Sequence, residues 1–443
     1  MLFRSAAAGA TGEFARAAGG AVSEANARSL ARTAIALLAA GCLLGIALPA
    51  GLGWDFANFY DTGRRVAAGQ LADIYDASTP IAGEAPNTKL DFYGAPISAF
   101  LYAPLAALPA RAALIGFKLA GSAALWAALW LLYREGRERL AGDSAAIARY
   151  AARFALAALL FQPFWTIYRV GGQTTPFAFL LLTLGLLGHL RERVAWAALC
   201  FGVAVLIKPA FLISFGFLGL LSGPRFIGAS LLHGAWIAAL SLAFCGWPLH
   251  EAFLAKMLAS AGGVARWTSN SSLWIVPNEI AWRLAGAGAT SVALPRWLVL
   301  PLQAVILGAF GALGWWTRRA DLPAPARTHH HWALALAFFL LFAQTAWEHY
   351  LAVLFLPIAF WLASWDDAPR AVRGGIAALV VLSLAQNLVF VLALARAIEG
   401  LGLPALLPAL ALKAAPPLLM AWLLVRHRAD WAATYRKVRW QPM

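Results

Sequence analysis

The feature that most constrains this chain is a series of apolar runs of about 20 residues, each closed at one end by arginine. A helix of that length crosses a ~30 Å hydrocarbon core. The first run follows Arg28 and Arg32 and lasts to about Ala50. Others fit about 112–133, 150–168, 174–190, 226–247, 297–316, 374–395 and 405–425. Their arginine-marked ends carry Arg134, Arg137 and Arg139, then Arg149 and Arg153, Arg191 and Arg193, Arg225, Arg318 and Arg319, Arg370 and Arg373, and Arg426 and Arg428. Composition agrees, with 62% hydrophobic and 12% charged residues and 20 Trp, a residue favoured at membrane interfaces. A soluble enzyme, a disulfide scaffold and a disordered chain are excluded.

Assigning the arginine-marked ends to the cytoplasm collects 22 of the 35 Lys and Arg there and leaves 13 elsewhere, which predicts both termini inside. The net charge of +15 then reads as orientation and contact with anionic membrane lipids, with no nucleic acid as partner. Arg outnumbers Lys 29 to 6 and Ala is abundant, which points to a GC-rich bacterial genome and to a multi-pass protein of the bacterial inner membrane. The expected organisation is a cytoplasmic tail over 1–28, a single transmembrane domain over 29–425 with outer loops at 51–110 and 248–296, and a basic cytoplasmic tail over 426–443. Within the first loop, Ala95 to Pro109 is too short and proline-rich to span, and is expected as a short helix along the interface.

Two places break the regular pattern. Val194–Ile207 and Pro209–Leu221 are apolar segments of about 14 residues around Lys208-Pro209, and the stretch from His331 to Asp366 repeats the design around Trp347-Glu348-His349-Tyr350. Fourteen helical residues cover only ~21 Å, so both hairpins should stop short of the far surface with polar tips lining a cavity. The fold class is an all-α polytopic membrane bundle of about 12 membrane segments, two of its hairpins short, with the outer loops carrying the site.

Several residues could carry chemistry. Asp55, among Trp54, Phe56, Phe59 and Tyr60 after the first span, suits a partly desolvated general base. Asp61 suits a helix cap or a supporting role. Lys208 before Pro209 stands at a helix start, where backbone N–H groups and an ammonium favour phosphate, the alternative being a side chain that reaches the interface. Glu348 and His349 offer an anion contact or a purely structural pair, and Gln173 in Gly171-Gly172-Gln173-Thr174-Thr175-Pro176 offers a donor to a sugar hydroxyl or phosphate or simply a turn. Asn270 and Arg266 are candidates in the second outer loop. Cys42, Cys200 and Cys245 lie in apolar runs and read as packing thiols, and His329-His330-His331 as a cytoplasmic loop and interface element without a metal. No P-loop, GxGxxG or HExxH is present, and no cofactor is expected.

DFANFYDTGRRVAAGQLADIY, YGAPISAFLYAPLAALP, GGQTTPF, LIKPAF, NSSLW and WEHYLAVLFLPI, in that order relative to the spans, resemble glycosyltransferase family 87 over most of residues 50–360. That family belongs to the GT-C superfamily, uses polyprenyl-phosphate sugars and includes polyprenol-phosphate-mannose-dependent mannosyltransferases. The resemblance implies a GT-C-like bundle and an outward cavity facing the periplasm. It further implies a polyprenyl-phosphate sugar as donor substrate and an acceptor glycan, lipid or polyol. Transfer would proceed with inversion, without metal, with Asp55 as base, Lys208 on the donor phosphate and His349 near the reacting centre. The donor sugar stays open between mannose, arabinofuranose and others. The competing readings are a secondary transporter, whose polar groups also sit on broken helices, and a flippase for a lipid-linked substrate. Against the transporter stand the acid-rich first outer loop and the lack of an internal repeat.

Overall fold

The structure is a computed structural model that describes residues 23–48, 54–75, 92–140, 142–169, 172–260, 270–285, 292–320, 322–384 and 403–426. Among these the fold is helical and holds no β-strand. Helix α1 (Glu24–Ala47) starts four residues inside the expected tail, because Ser23 caps it by accepting from the Asn26 backbone N–H at 3.2 Å. Among the described residues four helices are long and apolar enough to cross a membrane. They are α1, α3 (Ala110–Glu138), α9 (Pro224–Ser260) and α11 (Arg296–Arg319).

Between α1 and α3 lies the platform of the site. Helix α2 (Trp54–Ala67) is amphipathic, burying Phe56, Ala57 and Tyr60 while Arg64 faces out. It lies against Pro96–Ala107, the short segment expected along the interface, which is a 3₁₀ helix holding Pro96 and Pro104. Phe59 stacks on Tyr102 with ring centroids 4.7 Å apart, and the Tyr60 hydroxyl donates to the Leu108 carbonyl at 2.8 Å. Gly63 permits the approach, since a Cβ there would lie 2.2 Å from the Tyr102 carbonyl oxygen.

The remaining order follows the hydropathy with three corrections. The span expected at 150–168 is two helices, α4 (Ser144–Leu160) and α5 (Gln162–Arg169). Pro163 has no N–H for the carbonyl of Leu159, and the Trp165 indole donates to that carbonyl instead at 2.7 Å. The outer loop expected from residue 248 begins instead as helix. α9 bends at Gly246, with φ of 71°, and continues through Pro248 to Ser260, after which α10 (Ile275–Ala285) follows. The third correction concerns His329, His330 and His331. They lie in the first half of α12 (Ala324–Phe342) and are buried. Pro323 starts that helix, and the imidazoles pack as aromatic rings, His329 lying 4.6 Å from the Phe360 ring centre. All three cysteines are free thiols.

Helices flank the tips of both expected hairpins, of 14 and 11 residues around Lys208 and of 19 and 9 residues around Glu348 and His349, so one arm is longer than the expected 14. The first is α6 (Thr175–Leu190) leading to α7 (Val194–Ile207), then a single 3₁₀ turn Pro209–Phe211 and α8 (Leu212–Ser222). The second is α12, a 3₁₀ segment Glu348–Leu354 and α13 (Phe355–Ala363). The last described helices are α14 (Arg370–Leu384) and α15 (Leu403–Arg426). At the end opposite α2, Glu135 receives Arg139 at 2.7 Å and Arg191 at 2.5 Å, while Asp366 receives Arg149 at 3.2 Å and Arg153 at 2.5 Å.

Filling the gap at Gly63 should force α2 off the 3₁₀ segment. Gly63→Ala is expected to cost about 1–3 kcal/mol, read as a lowered Tm of the detergent-purified protein. Gly116→Ala, where a Cβ meets nothing within 4 Å, should leave Tm unchanged or raise it.

Candidate functional site

The first hairpin tip is set by proline. Lys208 precedes Pro209, which disfavours helical backbone at position 208, and its φ of −135° and ψ of 89° end α7 there. Its backbone N–H still closes the last turn on the Ala204 carbonyl at 2.9 Å, leaving the side chain at the tip. The ammonium is buried, and Lys208 Nζ lies 3.3 Å from Gln173 Oε1, 3.3 Å from His349 Nε2 and 4.9 Å from the centre of the Tyr350 ring. An ammonium has only donors, so His349 Nε2 accepts and the imidazole carries its proton on Nδ1.

The second tip is fastened by the motif NSSLW. Asn270 pairs with Trp347 in an antiparallel bridge. Its Oδ1 accepts from the N–H groups of Ser272 at 3.0 Å and Ala346 at 3.1 Å, and its Nδ2 donates to the Gln344 carbonyl at 3.1 Å. Ser272 Oγ and Asn278 Nδ2 donate to the same carbonyl, and the Trp274 indole donates to Leu341. The Asn270 amide, expected as a substrate contact, is engaged by backbone on three sides. From this fixed tip His349 meets Lys208, while Glu348 accepts from Lys413 Nζ of α15 at 2.5 Å. Lys413 was missed at the sequence level. Its signal was present as the lone cation inside the last apolar run, which calls for a buried carboxylate.

Gln173 and Asp55 complete the cluster. Gly172, with φ of +83°, turns the chain so tightly that a Cβ would lie 3.0 Å from Phe56 Cβ, which seats Gln173 beside α2. Gln173 is buried, and its Nε2 has no hydrogen-bond partner, nor has Oγ1 of the buried Thr175. Asp55, half-buried in the first turn of α2 and outside the spans, has its carboxyl pushed above the ordinary range by burial, against a smaller downward pull from the Lys208 ammonium. Asp61 stands on another face of α2, where its carboxylate receives Arg65 Nε at 3.2 Å, and Arg65 also donates to the Asp73 carbonyl. It is thus mid-helix, not a cap. Arg266 lies outside the described residues. The structure therefore brings together Lys208, Gln173 and His349 and adds Tyr350, while Asp55, with no direct contact to them given, stands near enough for the Lys208 charge to act on its carboxyl. Glu348 and Asn270 hold the second tip, and Asp61 is paired elsewhere.

An apolar groove of about 200 Å³ is lined by Ile97, Leu101, Trp236 and Leu240 among others, together with Leu206 and Ile207 of the α7 turn that precedes Lys208 in the chain. Among the described residues no group of three or more His, Cys, Asp or Glu is placed to hold a metal ion.

Removing the Asn270 amide deprives two buried backbone N–H groups of their acceptor. Asn270→Ala should cost about 1–3 kcal/mol for each group left unpaired, seen as a marked fall in Tm. An unchanged Tm would mean that the fastening of the tip lies elsewhere.

No curated protein matches the chain. A family model does, over a stretch that includes Gln173, Lys208 and Asn270 and leaves Asp55 and His349 outside it. The match decides for a transferase over the transporter and flippase readings. Over residues 92–329, more than half its length, the chain matches glycosyltransferase family 87, the family its motifs resemble, and it belongs to that family.

Proposed function

We propose that this glycosyltransferase moves a sugar, of mannosyl or arabinofuranosyl type, from a polyprenyl-phosphate donor to an acceptor glycan, lipid or polyol on the periplasmic side of the bacterial inner membrane. The protein would be a GT-C-like bundle of about 12 membrane segments with both termini cytoplasmic. The observation that carries this reading is the buried meeting of Lys208, Gln173 and His349, with the Asp55 carboxyl within the electrostatic reach of Lys208. Lys208 supplies a desolvated positive charge for the donor phosphate, and Gln173 Nε2, buried without a partner, supplies a donor N–H beside it. The apolar groove, whose lining includes Ile207, the residue before Lys208, supports a lipid carrier, since that lining suits a hydrocarbon chain and offers a nucleotide few polar partners.

In this mechanism Asp55 takes the proton of the acceptor hydroxyl as its oxygen attacks the anomeric carbon. The new glycosidic bond forms on the face opposite the breaking bond to phosphate, polyprenyl phosphate leaves, and the configuration inverts. Lys208 and Gln173 stabilise the charge that develops on the departing phosphate. Asp55 and Asp61 divide the work by environment. Asp61 is held by Arg65, and only Asp55 feels the buried ammonium.

Asp55→Asn keeps the shape and removes the base, so transfer should fall by about 10²–10⁴-fold with donor binding retained. Lys208→Ala should abolish tight donor binding, and Lys208→Arg should keep part of it. The experiment measures donor binding and polyprenyl-phosphate release separately on purified variants. Full transfer by Asp55→Asn, or unchanged binding by Lys208→Ala, would overturn the corresponding role.

A base with a raised pKa also has a pH signature. Asp55 acts when ionised, so kcat/KM should decline as pH falls through a value above the ordinary aspartate range near ~3.9. An acid limb at the ordinary value would assign the base elsewhere.

A further inference from the structure

The Lys413–Glu348 pair plays no part in the chemistry above, yet it lies one residue from it. Both side chains are buried, at 0% and 5% exposure. Between Leu403 and its terminal Arg426, α15 is LPALLPALALKAAPPLLMAWLLVR, so Lys413 is the lone charge in its interior. A buried ion pair stabilises poorly, because apolar residues of similar volume serve the packing as well or better. Packing α15 on the second tip therefore gives no reason for a charge there. Position does. Glu348 and His349 are consecutive on a 3₁₀ turn of about 3 residues, so their side chains diverge, Glu348 toward α15 and His349 toward Lys208. A bare carboxylate at 348 would stand one residue from the imidazole that Lys208 contacts, and in low dielectric it would oppose any anion brought to Lys208.

We propose that Lys413 is a positioning residue for the anion site. It holds the Glu348 carboxylate on the α15 side and cancels its charge, so that a phosphate can occupy the Lys208–His349 side. The proposal rests on the donor-phosphate reading given above. It makes Glu348 an internal counter-charge whose effect on donor affinity is governed from a helix that contributes no contact to the phosphate.

The test is equilibrium binding of a polyprenyl phosphate lacking the sugar to the purified full-length protein, so that contacts to sugar hydroxyls do not enter. Lys413→Met removes the cation that faces the Glu348 carboxylate at 2.5 Å and should weaken binding at least about tenfold. Glu348→Gln removes the negative charge one residue from His349 and should tighten it. The double variant Lys413→Met/Glu348→Gln should recover the affinity lost in Lys413→Met. A purely structural pair gives a different pattern, in which both single variants weaken binding together, and that result would overturn the proposal. So would unchanged binding by Lys413→Met. If Lys413→Met does not yield monodisperse protein, Glu348→Gln and the double variant decide. Lost binding in either overturns the proposal, and tightening in Glu348→Gln with retained binding in the double variant supports it. Failure of the wild-type protein to bind the probe removes the donor-phosphate reading and this inference with it. Binding by the wild type without the opposite signs removes this inference alone.

Discussion

An ammonium buried at the tip of a membrane hairpin must be partnered, and the arrangement around Lys208 answers that requirement. Its partners come from three separate parts of the chain. Gln173 arrives on the left-handed turn at Gly172, His349 and Tyr350 on the second tip, and Asp55 on the helix that follows the first span. Each partner needs its own positioning device. Gly172 and Gly63 allow close backbone approaches, Pro209 ends α7 at Lys208, and Asn270 holds the second tip through backbone groups. At the far end of the bundle, arginine–carboxylate pairs at Glu135 and Asp366 tie loops together without reaching the site.

The polar groups at the tips serve two purposes that sequence adjacency hides. Glu348 and His349 are neighbours, yet one is committed to Lys413 and the other to Lys208. Asn270 and Gln173 are both buried amides. Asn270 is engaged by backbone, and Gln173 keeps an N–H without a partner. An amide whose donors and acceptors meet backbone holds a loop in place. One with an open donor beside a cation is available to a ligand. The same distinction separates Asp61, paired with Arg65 within one helix, from Asp55, whose carboxyl pKa is raised by burial against a smaller pull from Lys208.

Hydropathy alone determined that the chain is helical and membrane-embedded, because a ~20-residue apolar run has few other stable fates. The shortness of the apolar segments predicted both hairpins, and charge in an apolar setting singled out Lys208, Glu348 and His349. The limits of hydropathy appear at Pro163 and Gly246, where a continuous apolar run hides a break or a bend that depends on which carbonyls find other donors. They appear again at His329 to His331, read as a loop because imidazole counts as polar, although the rings are buried in α12. What only the tertiary structure decided was pairing. Lys413 lies 65 residues from Glu348, and Lys208 lies 141 from His349. Nothing local distinguishes Asn270, whose amide closes on backbone, from Gln173, whose amide does not. Composition and period act along the chain, whereas the partner of a buried charge or amide is fixed by how helices distant in sequence pack, and that packing separates the groups that hold this site together from those left open to a substrate.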